Sequence, residues 1–283
     1  MRSVHSLKPL SLVWLLLIFF ANPAGALFSA PRSEPWERWA SHDETSLAAI
    51  NHDAWTKFLS DYVEKSPDGI NRVRYADVTS ADREMLEGYI DSLTAVAISH
   101  YNRAEQRAYW INLYNALTVK IVLDHYPVVS IRDIDISPGF FSSGPWDKKL
   151  ITVEGEELSL NDIEHRILRP IWKDPRLHYA VNCASIGCPN LMLLAFTSEN
   201  SEMLLEQGAR DYINHPRGVD VVDSRPVASK IYDWFRPDFG DSDQDVLAHL
   251  RRYAEPDLLR KLDDFSRISG YRYDWALNEA AGN

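Results

Sequence analysis

Residues 177–189 read Leu-His-Tyr-Ala-Val-Asn-Cys-Ala-Ser-Ile-Gly-Cys-Pro and hold both cysteines of the 283-residue chain. The first six, Leu177 to Asn182, are largely apolar and β-friendly, which predicts a buried strand. Small residues, Gly187 and Pro189 then break the pattern, which predicts a turn. A thiol where a buried strand runs into a glycine-containing loop is held rigid and can still be reached. Cys183 is therefore the candidate nucleophile.

One element upstream, Ser159 and Asp162 have the spacing of a capping box, so a short helix is predicted to start there and to end before Pro170. Leu160, Ile163, Ile167 and Leu168 form its apolar stripe, with Glu164 inside it. A carboxylate on a core-facing stripe is costly unless paired. Glu164 therefore bridges to a cation or orients a histidine. Asn161, His165 and Arg169 make the polar face. Further back, Ala104 to His125 is apolar nearly all round, the mark of a buried central helix. Asn112 and Asn115 share one of its faces. Buried amides need partners, so they either tie the helix to neighbouring loops or support a pocket.

The remaining elements are helices around Leu47–Tyr62, Ala81–Ala97, Ser198–Tyr212, Asp243–Tyr253 and Pro256–Phe265. A hairpin over Lys149–Leu158 turns at Glu154-Gly155, and short strands are expected at Val73–Tyr75, Val219–Val222 and Tyr271–Trp275. Ser130–Asp147 is irregular and suits a rim or lid loop. Tyr232, Trp234, Phe235 and Phe239 are read as core. The economical fold is one α+β domain over residues 47–283, its central helix packed on a small, mostly antiparallel sheet.

Met1 to Ala26 stands apart. Arg2 and Lys8 precede an apolar run, Leu10 to Phe20, and Ala24-Gly25-Ala26 fits a small-x-small cleavage site. This predicts a secretory signal peptide cut after Ala26, a loose segment over 27–46, and a secreted or periplasmic product. Cleavage removes two basic residues and no acid, taking the net charge from −11 to −13. So acidic a chain meets phosphates with the wrong sign, which argues against nucleic acid. No later stretch is long enough to span a bilayer.

For chemistry, Cys183 needs a base. His178 lies on the same predicted strand and Glu164 can accept its other N–H, giving thiol, imidazole and carboxylate. The turn from Ala184 to Gly187 can aim backbone N–H groups at an oxyanion. The plainer readings are a core thiol, a core histidine, or a disulfide joining Cys183 to Cys188. Cys-x4-Cys lacks the tight spacing of structural zinc, and no phosphate loop or serine elbow appears. No metal and no cofactor are called for.

The chain resembles the family catalogued as domain of unknown function 547. The matching stretches are Ala-Tyr-Trp-Ile-Asn-Leu-Tyr-Asn-Ala-Leu at 108–117, Leu-Ser-Leu-Asn-Asp-Ile-Glu-His-Arg-Ile-Leu-Arg at 158–169, Asp174 to Pro189, and Tyr-Asp-Trp-Ala-Leu-Asn at 273–278. The resemblance implies a papain- or transglutaminase-like arrangement with Cys183, His178 and Glu164 as its catalytic set. His165 competes for the histidine role. Relatives fused to glutaredoxin-like domains imply thiol or glutathione-linked chemistry. The expectation is a cysteine-dependent hydrolase or acyl transferase acting on an amide or thioester, with a glutathione-like or peptide substrate. Asn112, Asn115, His165, Ser185 and Cys188 are expected on the substrate side. A non-catalytic binding module and a thiol redox protein are the alternatives, and the oligomeric state is left open.

Overall fold

The computed structural model describes residues 31–139 and 144–280. The expected signal peptide and part of the expected rim loop lie outside these residues. No helix among the described residues is long and apolar enough to cross a membrane.

The central helix is Arg103–His125, capped by the Asn102 side chain, which accepts from the Glu105 N–H at 3.0 Å. Seventeen of its residues are buried, so packing on all sides explains a sequence with no amphipathic stripe. Asp53–Tyr62 and Ser80–Thr94 lie to one side of it, Trp55 stacking on Phe58 and Tyr89. The first helix starts later than its apolar spacing suggested, and Leu47 is almost fully exposed.

The fold is α+β, as expected, but its strands are divided among three small sheets. Two are antiparallel hairpins, Val63–Lys65 with Asn71–Val73 and Ile151–Val153 with Glu156–Leu158. The third joins Val219–Val222 antiparallel to Arg225–Ser229, which runs parallel to Gly270–Arg272. The predicted strand at Val73–Tyr75 is a helical turn from Tyr75, and the final strand ends at Arg272. Glu154 and Gly155 both take positive φ, as a tight hairpin turn demands.

Two hydrophobic clusters result. The first surrounds the central helix and includes Leu177, Ala180 and Val181. The second is built by Ser201–Ile213, Asp243–Tyr253 and the three-stranded sheet, and includes Tyr179. The cysteine-bearing stretch therefore lies on the seam between them.

Residues 31–44, expected to be loose, are tied down, and Pro170 supplies the reason. The predicted capping box forms: Ser159 Oγ accepts from the Asp162 N–H, and Asp162 Oδ2 accepts from the Ser159 N–H at 2.8 Å. The helix then runs as a π-helical segment, Asp162–Leu168, and continues as Arg169–Trp172 straight through Pro170. Proline has no N–H to offer the carbonyl of Arg166 in α register or of His165 in π register. Both carbonyls are satisfied from outside: the Glu34 N–H donates to His165 and the Trp36 N–H to Arg166, at 3.0 and 3.1 Å. The Arg166 guanidinium sits 4.2 Å over Trp36, and Trp39 is buried against Trp110.

Three histidines, His52 and His165, which are buried, and His249, which is half-buried, are each pushed down to about 4, with desolvation the main cause. The unfolded chain takes up protons near pH 6.5 and the folded one only near 4, so stability falls as pH drops between those values. His52 isolates the effect. The Tyr89 hydroxyl is pushed far up by burial and stays protonated. It donates to Nδ1 at 2.6 Å, and Nε2 is left buried without an acceptor. In denaturation at pH 7, 6 and 5, His52→Gln is expected to flatten the stability slope by up to about 1.4 kcal/mol per pH unit. An unchanged slope would remove His52 from the account.

Candidate thiol site

Pro175–Tyr179 is a 3-10 helix, not a strand, and residues 180–189 follow as loop. The stretch needs no sheet neighbour because asparagine side chains replace one. Asn115 Nδ2 donates to the Ala180 carbonyl at 2.9 Å, and its Oδ1 accepts from the Asn182 N–H at 2.8 Å. Asn112 does the same for Phe196, whose carbonyl and N–H it holds at 2.7 and 2.9 Å. Both amides are buried and engaged with backbone, so neither is placed to bind substrate. They are clamps between the central helix and its loops. Asn115→Leu strips partners from the Ala180 and Asn182 backbone groups and is expected to cost about 2–4 kcal/mol in chemical denaturation. A loss under 1 kcal/mol would show that the clamp is not needed.

Asn182 continues the clamping. Its Oδ1 accepts from the Ala184 N–H at 2.8 Å, its Nδ2 donates to the Pro189 carbonyl at 2.7 Å, and Ala184 is held at φ 57°. A left-handed alanine beside the candidate nucleophile is strained backbone. Gly187 passes so close to Asp274 that a Cβ would come within 2.7 Å of its nitrogen, and the Gly187 N–H donates to the Asp274 carbonyl at 2.8 Å. Ile186 N–H goes to Ala276 and Cys188 N–H to Ser185. The amides of Ala184, Ile186 and Gly187 are thus spent on backbone and side-chain partners, so the turn does not present the expected row of oxyanion donors.

Cys183 is partly exposed and Cys188 is buried, 4% accessible, and both are free thiols. Their sulfurs lie 3.0 Å apart. Cys183 Sγ also lies 3.1 Å from the Tyr273 hydroxyl and 3.3 Å from the Ser185 hydroxyl. Contacts with these groups hold the Cys183 thiol below its ordinary value. The Cys188 contact is the largest effect, and burial and the charge of Glu164 act in the opposite direction. Burial pushes the Cys188 thiol well up. Ser185 is 1% accessible, so it and Cys188 lie behind Cys183, not on an open substrate surface.

The imidazoles belong to an adjoining network. His178 Nε2 meets Asp238 Oδ2 at 2.7 Å, and its Nδ1 lies 3.9 Å from Glu164 Oε1. Burial opposes a charge on Asp238, but the bonds from His178 and Arg169 outweigh it and hold the carboxyl well below the usual range. An ionised carboxylate only accepts, so Nε2 carries the hydrogen and Nδ1 is the atom left to exchange a proton. Arg169 donates to Asp238 from Nε and Nη2, and from Nη1 to His165 Nδ1 at 3.0 Å. Since arginine never accepts, His165 is a neutral ring with its hydrogen on Nε2, which leaves it poorly placed as a competing base. Phe235 stacks on His178 at 4.4 Å and lies under the Arg169 guanidinium.

Glu164 joins the two halves: it faces both imidazoles near 3.9 Å, touches the protonated Tyr114 hydroxyl, and its charge is felt at Cys183. Among the described residues no hydrogen bond links Cys183 to either histidine. Of the predicted trio, Glu164 and His178 are thus brought near each other, and Cys183 is bonded to neither. A cavity of about 580 Å³ opens onto Arg169, Asp238, Lys173 and the tied-down Ser33 and Pro35. It borders the Asp238 side of the network, and Cys183 does not line it. No cluster of metal-ligating side chains occurs among the described residues.

Asp238, Tyr273 and Tyr114 were not singled out from sequence. Asp238 had a signal available, a carboxylate inside an aromatic run, the same argument that picked Glu164. Tyr273 opens one of the stretches that carry the family resemblance, but its pairing with Cys183 spans 90 residues and no local pattern joins them.

Residues 98–213 match the model of the family described as protein of unknown function, DUF547. This span is narrower than the resemblance read from the sequence. It contains both clamping asparagines, Glu164, His165, Arg169, His178 and both cysteines, but not Asp238 or Tyr273. No curated protein and no solved structure matches the chain.

Proposed function

We propose, for a chain whose residues 98–213 match the DUF547 family model, that Cys183 is the nucleophile of a cysteine-dependent acyl-transfer or hydrolytic site acting on an amide or thioester outside the cytoplasm. The observation that carries this reading is the convergence of the Tyr273 and Ser185 hydroxyls and the Cys188 thiol on one partly exposed sulfur. Such a sulfur is primed as thiolate without a histidine in contact.

In the proposed step the thiolate attacks the carbonyl carbon and the C=O electrons move to oxygen. The sulfur loses its charge, so the Tyr273 hydroxyl is released to donate to the oxyanion. This role supplants that of the spent amides. The proton that Cys183 loses is taken up at Nδ1 of His178, whose Nε2–H stays fixed on Asp238, and the imidazolium so formed returns it to the leaving group. Export, inferred from residues 1–26, fits a small-molecule or peptide substrate met outside the cell interior.

The test is acyl trapping. Purified mature protein is incubated with an aryl thioester, quenched in acid and digested, and the acyl mass is sought on the 177–189 peptide. An adduct on Cys183 that decays on dilution supports the reading. Turnover with no adduct, or an adduct only on surface lysines, sinks it.

A further inference from the structure

We propose that Cys183 and Cys188 act as a dithiol–disulfide pair that exchanges with small dialkyl disulfides, Cys183 attacking and Cys188 resolving. This shares Cys183 with the acyl-transfer reading but not its chemistry. The argument begins with geometry. The sulfurs are 3.0 Å apart, so a shift of about 1 Å reaches the disulfide bond length. The loop that carries Cys188 is fixed on both flanks. Arg217 donates to the Ile186 carbonyl at 3.1 Å and to Asn190 Oδ1 at 2.5 Å, and the Tyr212 hydroxyl donates to the Gly187 carbonyl at 2.7 Å. Arg217 is half-buried, has no carboxylate partner among the described ion pairs, and its Nε finds no acceptor.

The two thiols are also unlike in the way exchange needs. Cys183 is partly exposed, whereas Cys188 is covered, so an external sulfur reaches Cys183 alone. The Cys183 N–H points at Cys188 Sγ at 3.0 Å. That amide receives the charge on Cys188 sulfur when it leaves during reduction.

The steps balance. Cys183 thiolate attacks a disulfide RSSR, forming Cys183–S–SR and releasing RS⁻. The Cys188 thiol then gives its proton to that RS⁻, and its sulfur displaces the second RS⁻ to close Cys183–S–S–Cys188. The dithiol is oxidised and one dialkyl disulfide is reduced to two thiols. An external dithiol runs the sequence backwards through Cys183.

The experiment uses the full mature chain, reduced, then exposed to hydroxyethyl disulfide, with mass analysis before and after alkylation. The expected result is loss of two hydrogens, at least a tenfold drop in Cys183 alkylation, and full recovery with dithiothreitol in the folded state. Cys188→Ser is expected to stall as a stable hydroxyethylthio adduct on Cys183, and Cys183→Ser to acquire no adduct. Both thiols still alkylating after the oxidant overturns the proposal. So does a mixed disulfide accumulating equally in wild type and Cys188→Ser, or a bond that dithiothreitol opens only after unfolding. The wild-type masses decide the matter even where a variant fails to fold. None of these readouts passes through hydrolysis, so a failed acyl-trapping assay leaves this result standing, and the reverse.

Discussion

Replacing Cys183 with alanine is expected to lower turnover of an aryl thioester by on the order of 10³-fold or more, while the folded state is kept. The argument for the large kinetic effect is that no second group can take over. Cys188 is covered, its thiol is pushed well up by burial, and Ser185 is buried behind it. The argument for the retained fold is that the loop around Cys183 is fixed by Asn115, Asn182, Asp274 and Ala276, none of which bonds to the sulfur. Tyr273→Phe separates this reading from a purely structural one. It removes one donor from the thiolate and one from the oxyanion, so the pH midpoint of Cys183 alkylation is expected to rise and turnover to fall by about 10²-fold. Circular dichroism and alkylation kinetics on the same samples decide the point. A Cys183→Ala protein that turns over the thioester at wild-type rate would return this site to the binding-module reading.

Much of this site was legible from residue pattern, and the failures have physical causes. The capping box at Ser159 and Asp162, the burial of the central helix and the demand of Asn112 and Asn115 for partners all follow from local rules, and the structure bears them out. Glu164 stood out because a carboxylate on an apolar stripe must have a partner, and it faces His165, His178 and Tyr114. Residues 177–182 misled because a buried 3-10 turn and a buried strand use the same apolar, β-branched vocabulary. What decided between them was hydrogen bonding from Asn115, 65 and 67 residues away in sequence. Pro170 misled in the other direction. It ends a regular helix, but here a π-helical segment and the backbone of residues 34–36 absorb the lost bond. Asp238 comes from a four-residue helix, Arg236–Phe239, in an aromatic run that was read as core, and the rings of Phe235 and Phe239 do pack on the site histidine.

Asp238→Ala is expected to be the most damaging single change to stability, about 3–5 kcal/mol, because it leaves a buried charge without its counterpart. The Arg169 side chain is 4% accessible. Its other polar partners are a backbone carbonyl at Pro31 and the neutral ring of His165, neither of which carries a negative charge. The His178 Nε2–H loses its acceptor in the same step. Asp238→Asn keeps an acceptor oxygen in place and is expected to cost less, so the difference between the two variants measures the ionic part. The pH dependence gives an independent check. The folded carboxyl lies well below its ordinary value, so its contribution is present above about pH 4, where the unfolded carboxylate is also ionised. It is lost as pH falls further and the unfolded chain takes up the proton first. The gap between wild type and Asp238→Asn should therefore be constant from pH 7 to about 5 and close below 4. A gap that stays constant down to pH 3 would mean that Arg169 and His178 do not draw on the carboxylate charge, and that the pair holds the site by shape alone.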